Sequence, residues 1–384
     1  MRKTSIEEQS FTISSKSLPE NRDQITADLA QIEDLETILE LNKLEYGTTD
    51  VLVTPTDFYW RYNQNPAGLA LIPAIRNSRK QVVGFIWVLP LKLRMKGQNY
   101  VAASGTNLLI HPQYRNSFAY IKLLRQFDQV FRKNKFPLHF SFISEENYQR
   151  LRQHSPQMAW TVPLLFKPLN VSKLAQTYGG QSWPSYFTKS ADQLVSFFYS
   201  RHRIKDGQEN ITIQAIDQFD TTFDKFWGDL QDKYPLMLIR DRAFLAWRFT
   251  NTSRRQYQIL VAQTESKMLG YIVLRCTTIR GVDTGLVLDF LVLDDELGEK
   301  AGAYLLTHAE TYFREQQMAV TLGLMAPFAA EYRIFRRAGY SRLSSKLSPR
   351  PFRFAFFIHD KKQQDLNLLS KQDWFITFAD YESF

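Results

Sequence analysis

The spacing of apolar residues changes character along the chain, and each change marks an element. Residues 1–24 are polar and without period, and read as a flexible tail. Beyond the short 25–29 run, Leu35, Ile38, Leu39 and Leu41 form a helical stripe with Asp34 as its N-cap. The continuous apolar run 81–89 predicts a strand, a turn falls at Lys96-Gly97, and 104–110 predicts a second strand. The His111-Pro112 break opens a helix whose apolar face is Tyr120, Ile121, Leu124, Phe127 and Phe131. That helix ends near 133–135, and another strand follows over 137–142.

The same order of elements returns later in the chain. Trp60-Arg61-Tyr62 and Trp247-Arg248-Phe249 stand 187 positions apart, and Val83-Gly84-Phe85-Ile86 precedes Leu269-Gly270-Tyr271-Ile272 by 186. Leu108-Leu109-Ile110 and Phe290-Leu291-Val292 are offset by 182, as are Leu123-Leu124 and Leu305-Leu306. A repeat this long is a whole domain, because each copy is large enough to own a core. The first unit is expected over 25–168 and the second over 209–384. The linker between them, 169–208, carries turn residues over 177–184 and an apolar bridging helix over 191–199.

Composition narrows the picture. With 44% hydrophobic and 14% aromatic residues, sizeable cores form and wholesale disorder is excluded. Forty-eight basic against 39 acidic residues leave a net charge of +9, which permits phosphate-bearing partners without requiring them. The basic runs Arg201-His202-Arg203 and 333–337 lack the interleaved stacking aromatics of a nucleic-acid surface, so no DNA partner is expected. The single cysteine, Cys276, sits in the apolar run 270–276 and reads as a strand thiol; it excludes a disulfide framework and a cysteine-based zinc cluster. No H-x-x-x-H, H-E-x-x-H or Walker spacing occurs, so neither a metal nor a nucleotide loop is expected. No apolar leader and no apolar stretch of 18 residues is present, which points to a soluble, cytoplasmic protein without a membrane span. The oligomeric state stays open.

The element order, the Trp-Arg-aromatic pair and the tail Trp374-Phe375-Ile376-Thr377-Phe378-Ala379-Asp380 resemble the GNAT acyltransferase fold, as two tandem units covering nearly the whole chain. The tail resembles the ending of GNAT-like proteins of bacterial polysaccharide loci. The resemblance implies an α/β (α+β) architecture, each unit a mixed, mostly antiparallel sheet flanked by helices. It also implies a fourth strand that parts from the fifth and offers its edge to the pantetheine of coenzyme A. In the first unit that edge is Leu108, Leu109 and Ile110. The pyrophosphate would sit where the next helix begins, a natural anion site. The family loop there reads R-x-x-G-x-G/A; this chain has Arg115, Asn116, Ser117, Phe118, Ala119 and Tyr120, keeping the arginine but placing Phe118 and Tyr120 at the glycine positions. Phe118 is expected to crowd the approach. The second unit has Asp294, Asp295 and Glu296 at the corresponding place, which repel a phosphate and read as helix capping. If either unit binds the cofactor, it is the first.

The resemblance further implies a base for the acceptor ammonium and a tyrosine that reprotonates the thiolate. In the second unit Phe335 stands at the tyrosine position, with Tyr332 one turn earlier as a packing residue or substitute. In the first unit Glu145 or Glu146 is the candidate base and Tyr148 the candidate acid, although adjacent glutamates also suit a solvated first helical turn. His111 and His139 could reach a cleft but have no recognisable partner in sequence. The leading expectation is an N-acyltransferase (acetyltransferase) using acetyl-CoA or another acyl-CoA, with direct transfer to a small-molecule amine such as an amino sugar, and a degenerate second domain. A catalytically inactive GNAT-fold binding protein is the alternative, followed by an aminoacyl-tRNA-dependent transferase of the related two-unit type.

Overall fold

A computed structural model describes residues 24–48, 50–154, 158–178, 210–250, 255–344, 347–359 and 369–381. The 191–199 helix and residues 1–23 of the tail lie outside them. The first half of the chain supplies β1 (Thr26–Leu29), β2 (Pro73–Arg76), β3 (Val82–Met95), β4 (Gln98–Ile110), β5 (Leu138–Phe142), β6 (Ala159–Val162) and β7 (Leu164–Pro168). The second half supplies β8 (Thr212–Ile216), β9 (Leu236–Leu238), β10 (Gln258–Gln263), β11 (Met268–Ile279), β12 (Val282–Val292), β13 (Val320–Leu324), β14 (Ser341–Arg342) and β15 (Phe352–Ile358).

β3 and β4 extend further than the apolar run predicts. Leu91, Leu93 and Met95 alternate with the more exposed Lys92 and Arg94, so the hairpin continues as a half-buried ribbon. It closes at Lys96 and Gly97, both with positive φ (45° and 79°), and the β11–β12 hairpin closes the same way at Arg280 and Gly281 (49° and 80°). Two consecutive left-handed residues match the twist of the strands they join, and glycine adopts the second at no steric cost.

The strands form two sheets, mixed but mostly antiparallel. One has the order β1-β2-β3-β4-β5-β15-β6, with β9 added on the far stretch of β3; the other runs β14-β7-β13-β12-β11-β10-β8. Each sheet therefore draws on the other half of the chain, with β9 and β15 in the first and β7 in the second. β15 lies between β5 and β6, antiparallel to both, and β7 lies between β13 and β14. This exchange crosses the boundary that the sequence expects at residue 168. Among the described residues no helix is long and apolar enough to cross a membrane.

Helices Pro55–Tyr62 and Arg242–Phe249, the two copies of the Trp-Arg-aromatic signature, pack against each other through their tryptophans. The Trp60 and Trp247 rings stack 4.6 Å apart and 9° from parallel. Trp60 Nε1 donates to the Trp247 carbonyl at 2.7 Å, and Trp247 Nε1 donates to the Trp60 carbonyl at 2.9 Å. Around this pair one contiguous apolar core runs through both halves, from Leu138 and Trp160 to Phe290 and Trp374.

Because β6 pairs with β15 and β7 with β13, neither half completes its sheet alone. Residues 1–168 expressed by themselves are expected to give no cooperative unfolding transition. Co-expression with residues 169–384 restores one, measured by urea denaturation followed by tryptophan fluorescence. A sharp transition in the isolated fragment would refute this dependence.

Candidate active site

β4 and β5 run parallel for only two rungs, Ala103 opposite His139 and Ser104 opposite Phe140. Beyond them, 105–110 of β4 has β3 on one side and no strand on the other among the described residues. A bulge shapes this segment. Phe85 pairs with Leu109 and Trp87 with Thr106, so Asn107 and Leu108 together face Ile86. Asn107 takes a left-handed conformation (φ 51°), which asparagine tolerates better than most residues.

The side chains around the bulge are tied together. Tyr46 Oη donates to Asn107 Oδ1 at 2.6 Å, Asn107 Nδ2 donates to Asn42 Oδ1 at 3.3 Å, and Asn42 Nδ2 donates to the Leu52 carbonyl at 2.7 Å. Burial, reinforced by the neighbouring Glu45 carboxylate, pushes the Tyr46 phenol up to about 12. Tyr46 thus keeps its proton at neutral pH, at the edge that β5 leaves bare. Neither Tyr46 nor Asn107 is singled out by sequence reasoning. The available signal was an asparagine interrupting an otherwise apolar strand.

The structure brings the predicted cofactor residues together at the end of this edge. Leu109 and Ile110 are buried, Leu108 is partly so, and the Ile110 carbonyl accepts from Arg115 Nε at 2.7 Å. The Arg115 guanidinium also pairs with Glu45. Ser117 begins the helix Ser117–Asn134, and Asn116 caps it by accepting from the Ala119 amide at 2.9 Å. The Tyr120 amide turns to the Asn116 carbonyl, and those of Arg115 and Asn116 turn to Pro112 and Tyr114. The Phe118 amide has no hydrogen-bond partner among the described residues. The Phe118 ring points into solvent beneath the Lys122 ammonium, 5.5 Å away, rather than over the amides as the sequence suggests. Helix-terminal amide, dipole and bare strand edge are the groups an acyl-CoA needs, so these residues fit that cosubstrate.

The candidate acid and bases are engaged by other groups. Glu145 and Glu146 open the helix Glu145–His154. Glu145 pairs with Arg353 at 2.7 Å, Glu146 with Arg150 at 2.9 Å. Burial acts to raise the Glu145 carboxyl, but hydrogen bonds from Arg353 and Gln149 outweigh it and hold the group below the usual carboxylate range. Tyr148 is buried against Ala159 and Ala355, with the Arg353 guanidinium 4.3 Å above its ring. None of the bonds or ring contacts of these three residues reaches β4 or the 115–120 segment among the described residues. His111 accepts from the Gln113 amide at 3.3 Å and caps a short turn. His139, on the first of the two rungs that join β4 to β5, stacks between Phe131 and Phe357, and its Nδ1 lies 2.7 Å from Nε2 of His359.

The corresponding slot in the second unit is filled by the chain itself. β12 and β13 pair over 284–287 and 320–323 and then separate. The C-terminal segment lies in the gap. Thr377 bridges to Met325, the Ile376 carbonyl accepts from the Ala326 amide at 3.1 Å, and the Thr377 hydroxyl donates to Asp289 Oδ1 at 2.8 Å. Arg240, fully buried, joins Asp289 (3.0 Å) to Asp380 (2.8 Å). Further along β12, the Val292 amide donates to Glu331 (3.2 Å) and its carbonyl accepts from Lys233 (2.7 Å), itself paired with Glu331 at 2.8 Å. Asp295 caps the following helix through the Gly298 amide, and Phe335 packs fully buried on Phe290. Among the described residues no group of three or more His, Cys, Asp or Glu could hold a metal.

Two units, each with a bulged fourth strand that parts from the fifth ahead of a helix N-terminus, make this a tandem GNAT fold. No family model and no curated protein sequence matches the chain. Solved structures do. The GCN5-related N-acetyltransferase from Anabaena variabilis superposes with a TM-score of 0.57 at 13% identity, over 87% of this chain and 73% of that one. Saccharomyces cerevisiae N-myristoyltransferase, with bound myristoyl-CoA, gives 0.56 at 14% identity, over 90% of this chain and 81% of its own.

Burial holds the pKa of His139 well below 6.5, with His359 adding to the effect. Burial also lowers His359, where Asp128 opposes the shift and Arg132 adds to it. Below 6.5 the unfolded chain therefore binds more protons than the folded one, so this contribution to stability is complete above that pH and lost as pH falls. His139→Phe keeps the stacking and is expected to flatten the fall in urea-unfolding stability between about pH 7 and 5.5. An unchanged slope would show that the pair does not titrate on unfolding.

Proposed function

We propose that the chain is an N-acyltransferase that binds acetyl-CoA or another acyl-CoA in its first unit and passes the acyl group directly to an amine, with an amino sugar as the acceptor class. The observation that carries this reading is the contrast between the two slots. In the first unit no strand among the described residues lies beside β4 from Gly105 to Ile110 on the β5 side, while in the second the same edge is closed by Thr377, Glu331 and Lys233. The pantetheine would pair along 105–110, with the pyrophosphate at Phe118. The amine nitrogen attacks the thioester carbonyl, the C–S bond breaks, and the departing thiolate takes a proton that the nitrogen's loss makes up. Tyr46, protonated and held on the bulge by Asn107, is placed to supply it. The two solved relatives, an N-acetyltransferase and an N-myristoyltransferase, support the reaction class.

The engagement of Arg115 by Glu45 and the Ile110 carbonyl favours the second reading, a binding protein without turnover. Calorimetric titration separates the two. Acetyl-CoA is expected to bind with a stoichiometry of one. Tyr46→Phe is expected to bind as wild type yet to transfer acetyl to an amine panel roughly 100-fold more slowly. Binding without transfer by the wild-type protein would favour the second reading, and no binding at about 1 mM cofactor would overturn the acyltransferase reading.

A further inference from the structure

The helix Leu35–Tyr46 ends against the bare edge of β4, and its last two residues reach two different points of it. Tyr46 Oη donates to Asn107 Oδ1 on the bulge at 2.6 Å. Glu45 pairs with Arg115, in the loop that leads to the helix Ser117–Asn134. The last helical turn thus spans the site from the bulge to the loop ahead of the free Phe118 amide. After burial, the Glu45 charge is the next cause that raises the Tyr46 phenol, so carboxylate and phenol are near neighbours.

Two contacts of Arg115 differ in kind. Its Nε donates to the Ile110 carbonyl at 2.7 Å, a backbone anchor that fixes the guanidinium at the end of β4. Its Nη2 faces Glu45, and the two side chains remain 27% and 31% exposed. An ion pair so open to water is weak and trades partners readily. A pyrophosphate, with more charge and more acceptor oxygens, suits a guanidinium edge better than one carboxylate does. The Phe118 amide, where the pyrophosphate would lie, is only three residues further along the chain. The contact that engages Arg115 in the free protein is therefore one that the cofactor itself can undo.

That exchange leaves the Glu45 carboxylate without this cation, beside a protonated phenol at the strand edge. An amine acceptor arrives as an ammonium and must lose a proton before its nitrogen can attack. Glu145 and Glu146 are held by Arg353 and Arg150. We infer that Glu45 is the catalytic base and that the cofactor's pyrophosphate frees it from Arg115, so that acyl-CoA binds before the acceptor. The inference rests on the proposed acyltransferase reading. Glu45 takes one proton from the ammonium and returns it to solvent. The nitrogen loses a second as the C–N bond forms and the C–S bond breaks, and this replaces the proton that Tyr46 gives to the thiolate. The Glu45–Arg115 pair is then the resting state of the base rather than the mark of a lost site.

The test combines calorimetric titration of the full chain with coenzyme A and steady-state acetyl transfer to the amine of the panel that wild type acetylates fastest. The proteins are wild type, Glu45→Gln, Arg115→Gln and the double variant. Glu45 is exposed, so Glu45→Gln leaves the core untouched. It is expected to bind coenzyme A roughly two- to fivefold more tightly than wild type, because an exposed carboxylate no longer competes for Arg115. In the Arg115→Gln background the same change is expected to leave the affinity unaltered. The kcat of Glu45→Gln is expected to fall at least tenfold while KM for acetyl-CoA holds or falls. Equal or weaker binding by Glu45→Gln overturns the exchange, and so does a tightening that survives Arg115→Gln, which is charge repulsion alone. An unchanged kcat overturns the base. All of these outcomes leave the acyltransferase reading standing. No binding of coenzyme A by any of the four proteins, or binding without transfer by wild type, removes that reading and the base with it.

Discussion

The arrangement of this molecule depends on one reciprocal contact. Trp60 and Trp247 stack, and each indole N–H donates to the other's carbonyl. Each is the other's counterpart in the repeat, so the contact is isologous, as at the dyad of a homodimer. A stacked aromatic pair adds on the order of 1 kcal/mol beyond the area it buries, and two buried hydrogen bonds fix its geometry. Everything around it inherits an approximate two-fold relation: helix against helix, sheet against sheet, and a strand lent in each direction. Even the following arginines, Arg61 and Arg248, are placed alike and both buried.

What distinguishes the halves is what each arginine and each slot is given. Arg61 finds Asp57 one turn back in its own helix, at 2.7 Å. Arg248 has no acid there and instead donates to the carbonyls of Ala379 and Tyr381. The tail that serves Arg248 is the same segment that fills the second slot through Thr377 and Asp380. One departure from symmetry thus produces the other. The tail then packs on Phe142 of β5 through Tyr381, at the strand that β4 leaves.

The repeat was readable in the sequence because both copies kept the residues that meet on the dyad; the 187-residue offset of the tryptophans is the separation of the two indole bonds. The β4 strand and the helix that follows it were readable for a similar reason, as local patterns of apolar strand, break and helix cap. Strand exchange was not, since β7 and β15 carry the same apolar signature whichever sheet receives them. Nor was the position of Tyr148, which has a phenol in the right stretch of chain but lies beneath Arg353, a residue more than 200 positions away. Asn107 was not singled out, being one polar residue within an apolar strand. Its place on the bulge, tied to Tyr46 and Asn42, comes from partners that periodicity does not encode.

The exchanged strands also set an order of events during synthesis. β6 gains its neighbour β15 only after residue 352 has been made, and β7 must wait for β13. At ordinary rates of translation, β6 therefore trails from the ribosome for on the order of 10–40 s without the strand it pairs with. Over that interval the first half exposes an apolar β5 edge, Leu138 to Phe142, that is prone to pairing with the wrong chain. β15 and the 376–380 segment, both made well after the first half, complete the two sheets together.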